Sequence, residues 1–122
     1  MISTREKGNM GEEFACRVLE KSGARILCRN FRGTHGEIDI IAEKASYILF
    51  VEVKLRRIGF ERPVLAVDER KMKRIVKTAG EFLIENRQDK HITKLKPRFD
   101  VFEIYSEKGS IIKYFNNENV YD

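Results

Sequence analysis

The sequence predicts one α/β domain, residues 1–122, in which a central mixed β-sheet is flanked by helices in the order αβββαββ. Two observations predict this fold class. Two segments have apolar residues at helical spacing, and five shorter runs have the apolar and β-branched content of strands. One of these runs, YILFVEV, is apolar almost throughout, which is typical of a strand covered on both faces. A length of 122 residues is that of a single domain with one core.

The first predicted helix begins at a capping-box pattern, Ser3 to Glu6, and extends to about Ser22. Gly23 ends it. Its apolar face contains Phe14, Ala15, Val18 and Leu19.

The second predicted helix runs from Glu69 to about Asn86, with Asp68 as its N-cap. Its apolar residues fall on one face, and a basic stripe lies on the opposite face. The basic stripe consists of Arg70, Lys73, Arg74 and Lys77.

Five strands are predicted, and the link between the second and third is short enough for a hairpin. The last two form a closing hairpin. Between the third strand and the second helix, residues 56–62 break the strand pattern and Pro63 to Val67 is too short to assign. Residues 87–96 read as a polar loop. The strands are Ala24 to Phe31, Glu37 to Glu43, Ile48 to Leu55, Arg98 to Tyr105 and Ser110 to Phe115.

Composition restricts the class of protein. The chain is 42% hydrophobic and 35% charged, which suits a globular domain with a charged surface rather than a disordered chain. Lys and Arg outnumber Asp and Glu by 24 to 19, and the resulting net charge of +5 favours polyanionic partners. No run approaches the roughly 20 apolar residues that cross a bilayer, and the N-terminus lacks a signal-peptide stretch, so we expect no membrane association and a cytoplasmic location. Cys16 and Cys28 are expected to be free thiols, and no Cys/His spacing indicates zinc.

Charged side chains interrupt the two central strands. Because side chains alternate between faces of a strand, Glu37 and Asp39 are expected on one face of the second strand, and Glu52 and Lys54 on one face of the third. Pairing these strands brings three carboxylates and an amine together, which is costly unless a cation lies between the carboxylates or one of them is protonated. Mg²⁺ and similar hard cations prefer such oxygen donors, and a lysine beside them can hold or deprotonate a water. The alternative is structural, with Glu52 and Lys54 as an ion pair on a solvated face and the other two residues as a polar edge.

The segments GEIDIIA and FVEVKLR resemble the acidic strand and the ExK strand of the PD-(D/E)xK nuclease superfamily. Together with KGNMGEEFACRVLEKSGARILCRNFR, the amphipathic second helix and RFDVF, they resemble the YraN family of small bacterial proteins, which is related to archaeal Holliday junction resolvases. The resemblance covers nearly the whole chain and implies a restriction-endonuclease-like core. The proline of the superfamily pattern is absent before the first aspartate.

The resemblance also implies roles for individual residues. Asp39 and Glu52, helped by the backbone carbonyl of Val53, are expected to bind Mg²⁺ or Mn²⁺, while Lys54 assists the water that hydrolyses a phosphodiester bond. Glu37 is expected to join this catalytic group because its face matches that of Asp39.

The family pattern places one more glutamate on the first helix. By helical spacing Glu12 lies about 90° from the centre of the apolar face and Glu13 about 170° from it. Glu12 is therefore the expected site residue, and Glu13 is expected to face solvent.

Basic residues near this group are candidates for contacts with a nucleic-acid backbone. They are Arg56, which is in phase with Lys54, and the basic stripe of the second helix; the alternative for each is a solvated or snorkelling side chain. Other polar and aromatic residues are expected to be structural. His35 and His91 are assigned to loops, Asp100 to an ion pair or hydrogen bond, and Tyr105, Tyr114 and Phe115 to the core or an interface.

The sequence therefore predicts a metal-dependent nuclease, or a nuclease-like protein, that acts on structured or branched DNA, since it contains no recognisable base-reading module. One alternative is a catalytically silent nucleic-acid-binding or assembly module with the same fold. Another is a protein-interaction domain without a nucleic-acid partner. By analogy with related resolvases, a homodimer is expected.

Overall fold

The structure is a computed structural model that describes residues 4–59 and 69–121, with side chains from residue 9 onward. Within these residues the elements follow one another in the predicted order αβββαββ. The elements are α1 (Thr4–Lys21), β1 (Arg25–Arg32), β2 (Glu37–Lys44), β3 (Tyr47–Arg57), α2 (Glu69–Glu85), a 3₁₀ helix (Ile92–Lys94), β4 (Lys96–Glu107) and β5 (Ser110–Asn117).

Most predicted limits differ from these by one or two residues; β4, predicted as Arg98 to Tyr105, is two residues longer at each end, and β5 continues past Phe115 to Asn117. β3 continues past Leu55 to Arg57, because it pairs with β4 along its whole length. The segment 87–96, predicted as a loop, contains the 3₁₀ helix, whose Ile92 is buried. The predictions for Ser3, for Pro63 to Val67 and for the N-cap Asp68 lie outside the described residues.

The five strands form one sheet in chain order, β1 to β5. Neighbouring strands are antiparallel except β3 and β4, which are parallel. A parallel pair requires a crossover connection, and α2 lies between these two strands in the chain. The predicted mixed sheet is thus confirmed.

The two helices cover opposite faces of the sheet. Ala15, Cys16 and Leu19 of α1 pack on one face with side chains that include Ile40 and Val51. Ala79 and Phe82 of α2 pack on the other face, in a cluster that contains Ile38, Ile41, Ile48 and Phe50. The sheet is therefore the middle of three layers, which is why its central strands are apolar on both faces.

Strands β2 and β3 separate at one end. Their pairing runs from Lys44 and Tyr47 to Ile40 and Val51, although β2 begins at Glu37 and β3 continues to Arg57. Ile38 packs in the cluster under α2 whereas Ile40 packs under α1, so strict alternation of faces does not hold between them. We call the diverging segments, residues 37–39 and 52–54, the fork.

The turn before β2 is bound to α2. Glu81 accepts hydrogen bonds from the backbone N–H and the hydroxyl of Thr34, at 2.8 and 2.6 Å, and lies 2.6 Å from Nδ1 of His35. A Cβ at Gly33 would collide with the Glu81 carboxylate, so a larger residue there would displace this carboxylate from Thr34. These contacts hold the start of β2, and with it one side of the fork, against α2.

The expectation for the two cysteines is met. Cys16 and Cys28 are free thiols. In the part of the chain that the structure describes, neither helix combines the length and apolar character needed to cross a membrane.

Candidate functional site

A pocket of about 150 Å³ opens at the fork, between the sheet and α2. The diverging strands contribute Glu37, Asp39 and Glu52 to its lining, and α2 contributes Lys71 and Arg74. The separation of the strands therefore creates the space, and the charged residues that interrupt their apolar runs face it. Buried or partly buried Thr78, Phe99, Asp100 and Tyr121 also line the pocket.

Asp39 stands where the backbone pairing between β2 and β3 has stopped. Its Oδ2 accepts a hydrogen bond from the N–H of Val53 at 2.8 Å, so the side chain satisfies an amide beyond the last backbone pair of the two strands. Burial raises the pKa of Asp39, the Val53 N–H opposes this, and the charges of Glu52 and Glu37 raise the pKa further. A cation near Asp39 would relieve both the burial of its charge and this repulsion.

Glu52 receives two ammonium groups on one oxygen. Nζ of Lys54 lies 2.8 Å from Oε1 of Glu52, and Nζ of Lys71 contacts the same Oε1. Burial acts to lower the pKa of Lys54, but the hydrogen bonds with Glu52 and Lys71 and the charge of Glu52 together outweigh it, and the net shift is upward. Lys54 is therefore a cation at neutral pH in this arrangement, and it donates hydrogen bonds rather than accepting a proton.

Burial lowers the pKa of Lys71, and the neighbouring Lys54 lowers it further, against the opposing effect of Glu52. The two ammonium groups thus share one carboxylate, and their mutual repulsion lowers the pKa of Lys71. Sequence analysis did not select this residue, which lies in a basic run, residues 70–77, because charge alone does not show which member of the run faces inward. A signal was present: Lys71 has the helical phase of Ile75, Thr78 and Phe82, which places it on the inward face of α2.

Glu12 approaches the site from the opposite layer. Burial raises the pKa of Glu12, the Asp39 charge raises it further, and Arg29 and a hydrogen bond from Asn30 oppose the shift. Its Oε1 is buried and has no hydrogen-bond partner among the described residues. Glu13, by contrast, is half exposed and pairs with Arg29 at 2.9 Å. The structure thus places Glu12 inward and Glu13 outward, as helical spacing predicts.

Glu37 is the most exposed of the predicted carboxylates. It lines the pocket, but it also pairs with Arg32 of the adjacent strand at 3.6 Å, and 41% of its side chain is exposed. Its charge acts on Asp39 from the rim of the site.

The predicted nucleic-acid contacts have two different environments. Nε of Arg56 donates to Oε2 of Glu103 at 2.7 Å, so a phosphate would have to compete with a buried carboxylate for this guanidinium. The basic stripe of α2 is exposed at all four positions, and Arg74 also lines the pocket. The stripe therefore presents positive charge beside the opening of the site.

The donor chemistry of the fork fits a hard divalent cation. Within residues 9–59 and 69–121, no group of three or more His, Cys, Asp or Glu side chains is arranged to hold a metal ion. Mg²⁺, however, commonly takes only one or two protein carboxylates and keeps several waters. Asp39 and Glu52 supply two such carboxylates in one pocket, and the unpartnered oxygen of Glu12 adds negative charge beside Asp39. These residues fit Mg²⁺ or Mn²⁺, provided that Glu52 releases an ammonium group.

Other polar residues have structural partners. Arg98 donates two hydrogen bonds to the buried Asp100, at 3.0 and 2.9 Å, which confirms the predicted ion pair. His91 lies 2.6 Å from Glu43, and His35 is held by Glu81. Tyr105 is buried, whereas Tyr114 and Phe115 are 45% and 49% exposed on β5.

The element order αβββαββ, with a mixed five-stranded sheet between two helices, is consistent with a restriction-endonuclease-like domain. The family is shown by the sequence. The chain belongs to the uncharacterised protein family UPF0102, the YraN family, whose model matches residues 11–104. This family lies in the restriction-endonuclease-like superfamily, so the resemblance noted in the sequence is confirmed.

Relatives from several bacteria cover most of the chain. A UPF0102 protein of Clostridioides difficile is 41% identical over 105 residues, which are 85% of this chain and 89% of that protein. A relative in Acetivibrio thermocellus is 44% identical over 106 residues, 85% of this chain and 78% of that protein. One in Dictyoglomus turgidum is 38% identical over 115 residues, 93% of this chain and 94% of that protein.

Among solved structures, Pyrococcus furiosus SfsA in complex with Ca²⁺ overlaps this chain with a TM-score of 0.42 at 18% identity. The overlap covers 97% of this chain and 64% of that one, which is less than two thirds of its length. A likeness of this degree establishes neither a shared fold nor a shared activity.

Proposed function

We propose that this protein is a divalent-metal-dependent nuclease that hydrolyses phosphodiester bonds in structured or branched DNA. The observation that supports this most directly is the meeting of Asp39, Glu52 and Lys54 at the fork, with both carboxylates in one pocket and the amine 2.8 Å from Glu52. Mg²⁺ or Mn²⁺ bound there would polarise a phosphoryl oxygen and lower the pKa of a water molecule.

The residues of the fork divide the remaining tasks. Asp39 and Glu52 would hold the cation together with the carbonyl oxygen of Val53, while the N–H of Val53 fixes the orientation of Asp39. Lys54, protonated through its bond to Glu52, orients the attacking water or stabilises the charge on the phosphate by donating a hydrogen bond. Glu12 adds negative charge behind Asp39 and strengthens the attraction for a cation.

The basic stripe of α2 supports a nucleic-acid substrate. Its side chains are exposed, one of them lines the pocket, and the whole chain carries a net charge of +5. Lysine and arginine bind the phosphate backbone without reading sequence, so the stripe fits a substrate that is recognised by its structure.

The test is a cleavage assay with Mg²⁺ or Mn²⁺ on duplex, single-stranded, flap and four-way-junction DNA. We expect metal-dependent cutting that is lost in Lys54→Ala. Lys44→Ala is the matched control, since Lys44 lies at the opposite end of β2 and should leave cleavage intact. Failure of the wild type to cut any of these substrates, or full activity in Lys54→Ala, would reject the proposal.

A catalytically silent nucleic-acid-binding module is the second candidate. One observation favours it: both Lys54 and Lys71 already neutralise Glu52, as in a purely structural ion-pair network. This candidate predicts DNA binding that needs no metal, weakens steeply with salt and persists in Lys54→Ala.

A further inference from the structure

Lys71 connects α2 to the centre of the candidate site. We infer that Lys71 is an exchangeable counter-cation: it competes with the divalent cation for Glu52, and its ammonium group moves to a substrate phosphate when the cation binds. This inference rests on the proposed function, because it assigns a further positioning residue to the same site.

The competition follows from the shared oxygen. Lys54 and Lys71 both contact Oε1 of Glu52. A divalent cation bound to Glu52 would lie close to both ammonium groups, and like charges at such distances repel strongly in a partly buried pocket. At least one ammonium group must therefore leave when the cation binds.

Lys71 is the group that can leave. Lys54 lies two residues from Glu52 on the same strand, where pairing of β3 with β4 fixes the backbone of both residues. Lys71 comes from a different element, so its flexible four-carbon stem can leave Glu52 without moving the strand that carries this carboxylate. Release of Lys71 changes no backbone hydrogen bond.

The destination of Lys71 is set by its neighbours on α2. Arg74 lies three residues later and lines the same pocket, so the two cations are adjacent on the helix surface. A phosphate that enters the pocket to reach Asp39 and Glu52 passes this pair. Lysine binds phosphate as a point charge, which suits an ammonium group that exchanges one anion for another.

Such an exchange couples the binding of the divalent cation to the binding of DNA. Without DNA, Lys71 weakens cation binding because it occupies Glu52. With DNA, the phosphate removes Lys71 from Glu52, so DNA and the cation should each strengthen the binding of the other, and by the same factor.

The experiment measures the affinity of the full chain for Mn²⁺ by calorimetric titration in the absence of DNA. Lys71→Met should bind Mn²⁺ at least about fivefold more tightly than the wild type, since fivefold is the lower end of the usual range of coupling factors. Lys71→Arg keeps the charge and should stay near the wild type. Lys73→Met removes one exposed charge from the same helix and controls for the general electrostatic effect.

A second measurement tests the proposed contact between Lys71 and a DNA phosphate. Ca²⁺ should increase the affinity of the wild type for junction DNA, and Lys71→Met should lose most of that increase, whereas Lys90→Met, which changes an exposed lysine outside the basic stripe, should retain it. Thermal melting of each variant verifies folding, which the partial exposure of Lys71 should preserve.

The outcomes separate this inference from the proposed function. If the wild type binds Mn²⁺ but Lys71→Met binds it no more tightly, or Lys73→Met tightens binding equally, the exchange is wrong and the proposed metal site stands. If neither the wild type nor Lys71→Met binds Mn²⁺, the metal site itself fails and the exchange fails with it.

Discussion

Arg56 Nε donates a hydrogen bond to Glu103 Oε2 at 2.7 Å and so links the parallel strands β3 and β4. Glu103 is 1% exposed and also accepts hydrogen bonds from Tyr105 and Asn117, at 3.1 and 3.2 Å. Arg56 therefore neutralises a carboxylate inside the sheet, next to the lysine of the candidate site.

Arg56→Met should destabilise the fold. The variant keeps the apolar stem but leaves the buried charge of Glu103 without its cation, a change that typically costs about 3 kcal/mol. Urea unfolding measures this loss, and Lys73→Met, which removes an exposed charge, should change stability little. Normal stability combined with weakened DNA binding would instead assign Arg56 to a phosphate, the role that the sequence suggested.

Asp39→Asn should stabilise the fold and abolish Mn²⁺ binding. The pKa of Asp39 is raised in the folded state, so its contribution to stability is fully present below the unfolded value, 3.8, and is lost as pH rises through the folded value. At pH 7 the neutral asparagine removes the cost of burying a charge at this position. Asp39→Asn should therefore raise the free energy of unfolding by about 1 kcal/mol, which is typical of stabilising substitutions at functional sites.

Asp100→Asn is the matched control for that experiment. Asp100 is also buried, but it is bound by two hydrogen bonds from Arg98, so its neutral variant should lose stability rather than gain it. If thermal melting shows equal shifts of the same sign for Asp39→Asn and Asp100→Asn, the buried charge of Asp39 does not destabilise the fold.

Glu81 should make stability sensitive to acid. Hydrogen bonds from Thr34 and the contact with His35 lower the pKa of Glu81 to about 2, from an ordinary value of 4.5. The associated stabilisation is present above pH 4.5 and is lost as pH falls towards 2. Urea unfolding of Glu81→Gln between pH 5 and about 2.5 should lack this part of the pH dependence; an unchanged profile would contradict the assignment.

Two glycines should respond oppositely to alanine. Gly33→Ala forces the Glu81 carboxylate away from the turn and should destabilise by about 1 kcal/mol or more. Gly80→Ala places a Cβ inside α2 where nothing lies within 4 Å, and should stabilise by up to about 1 kcal/mol. Thermal melting compares them, and a stabilised Gly33→Ala would show that the turn does not need the contact.

Lys73→Ala with Lys77→Ala should weaken DNA binding uniformly across sequences. If each lysine neutralises one phosphate, the slope of log affinity against log salt should fall by about two. Lys90→Ala with Lys94→Ala, two exposed lysines beyond the C-terminus of α2, is the control and should leave the slope unchanged. Equal changes of the slope in both double variants would show that the basic stripe is not part of the DNA-binding surface.

Periodicity and strand composition predicted the element order and the mixed sheet, because the two apolar faces of the central strands leave few other arrangements. The same two-residue period does not account for the site. Ile38 and Ile40 pack on opposite faces, so the strands diverge where strict alternation was assumed. Lys71 was missed because a basic run hides which of its members faces inward, and the Arg56–Glu103 bond joins residues 47 positions apart, which no local pattern reveals.

The hydrogen bond from Val53 to Asp39 makes one peptide group a natural spectroscopic probe. Its N–H reports on a carboxylate rather than on a backbone carbonyl, so anything that draws electron density from Asp39 changes the magnetic environment of that amide proton. A single cross-peak in a ¹⁵N-labelled sample would then record whether the fork is occupied, without substrate or turnover.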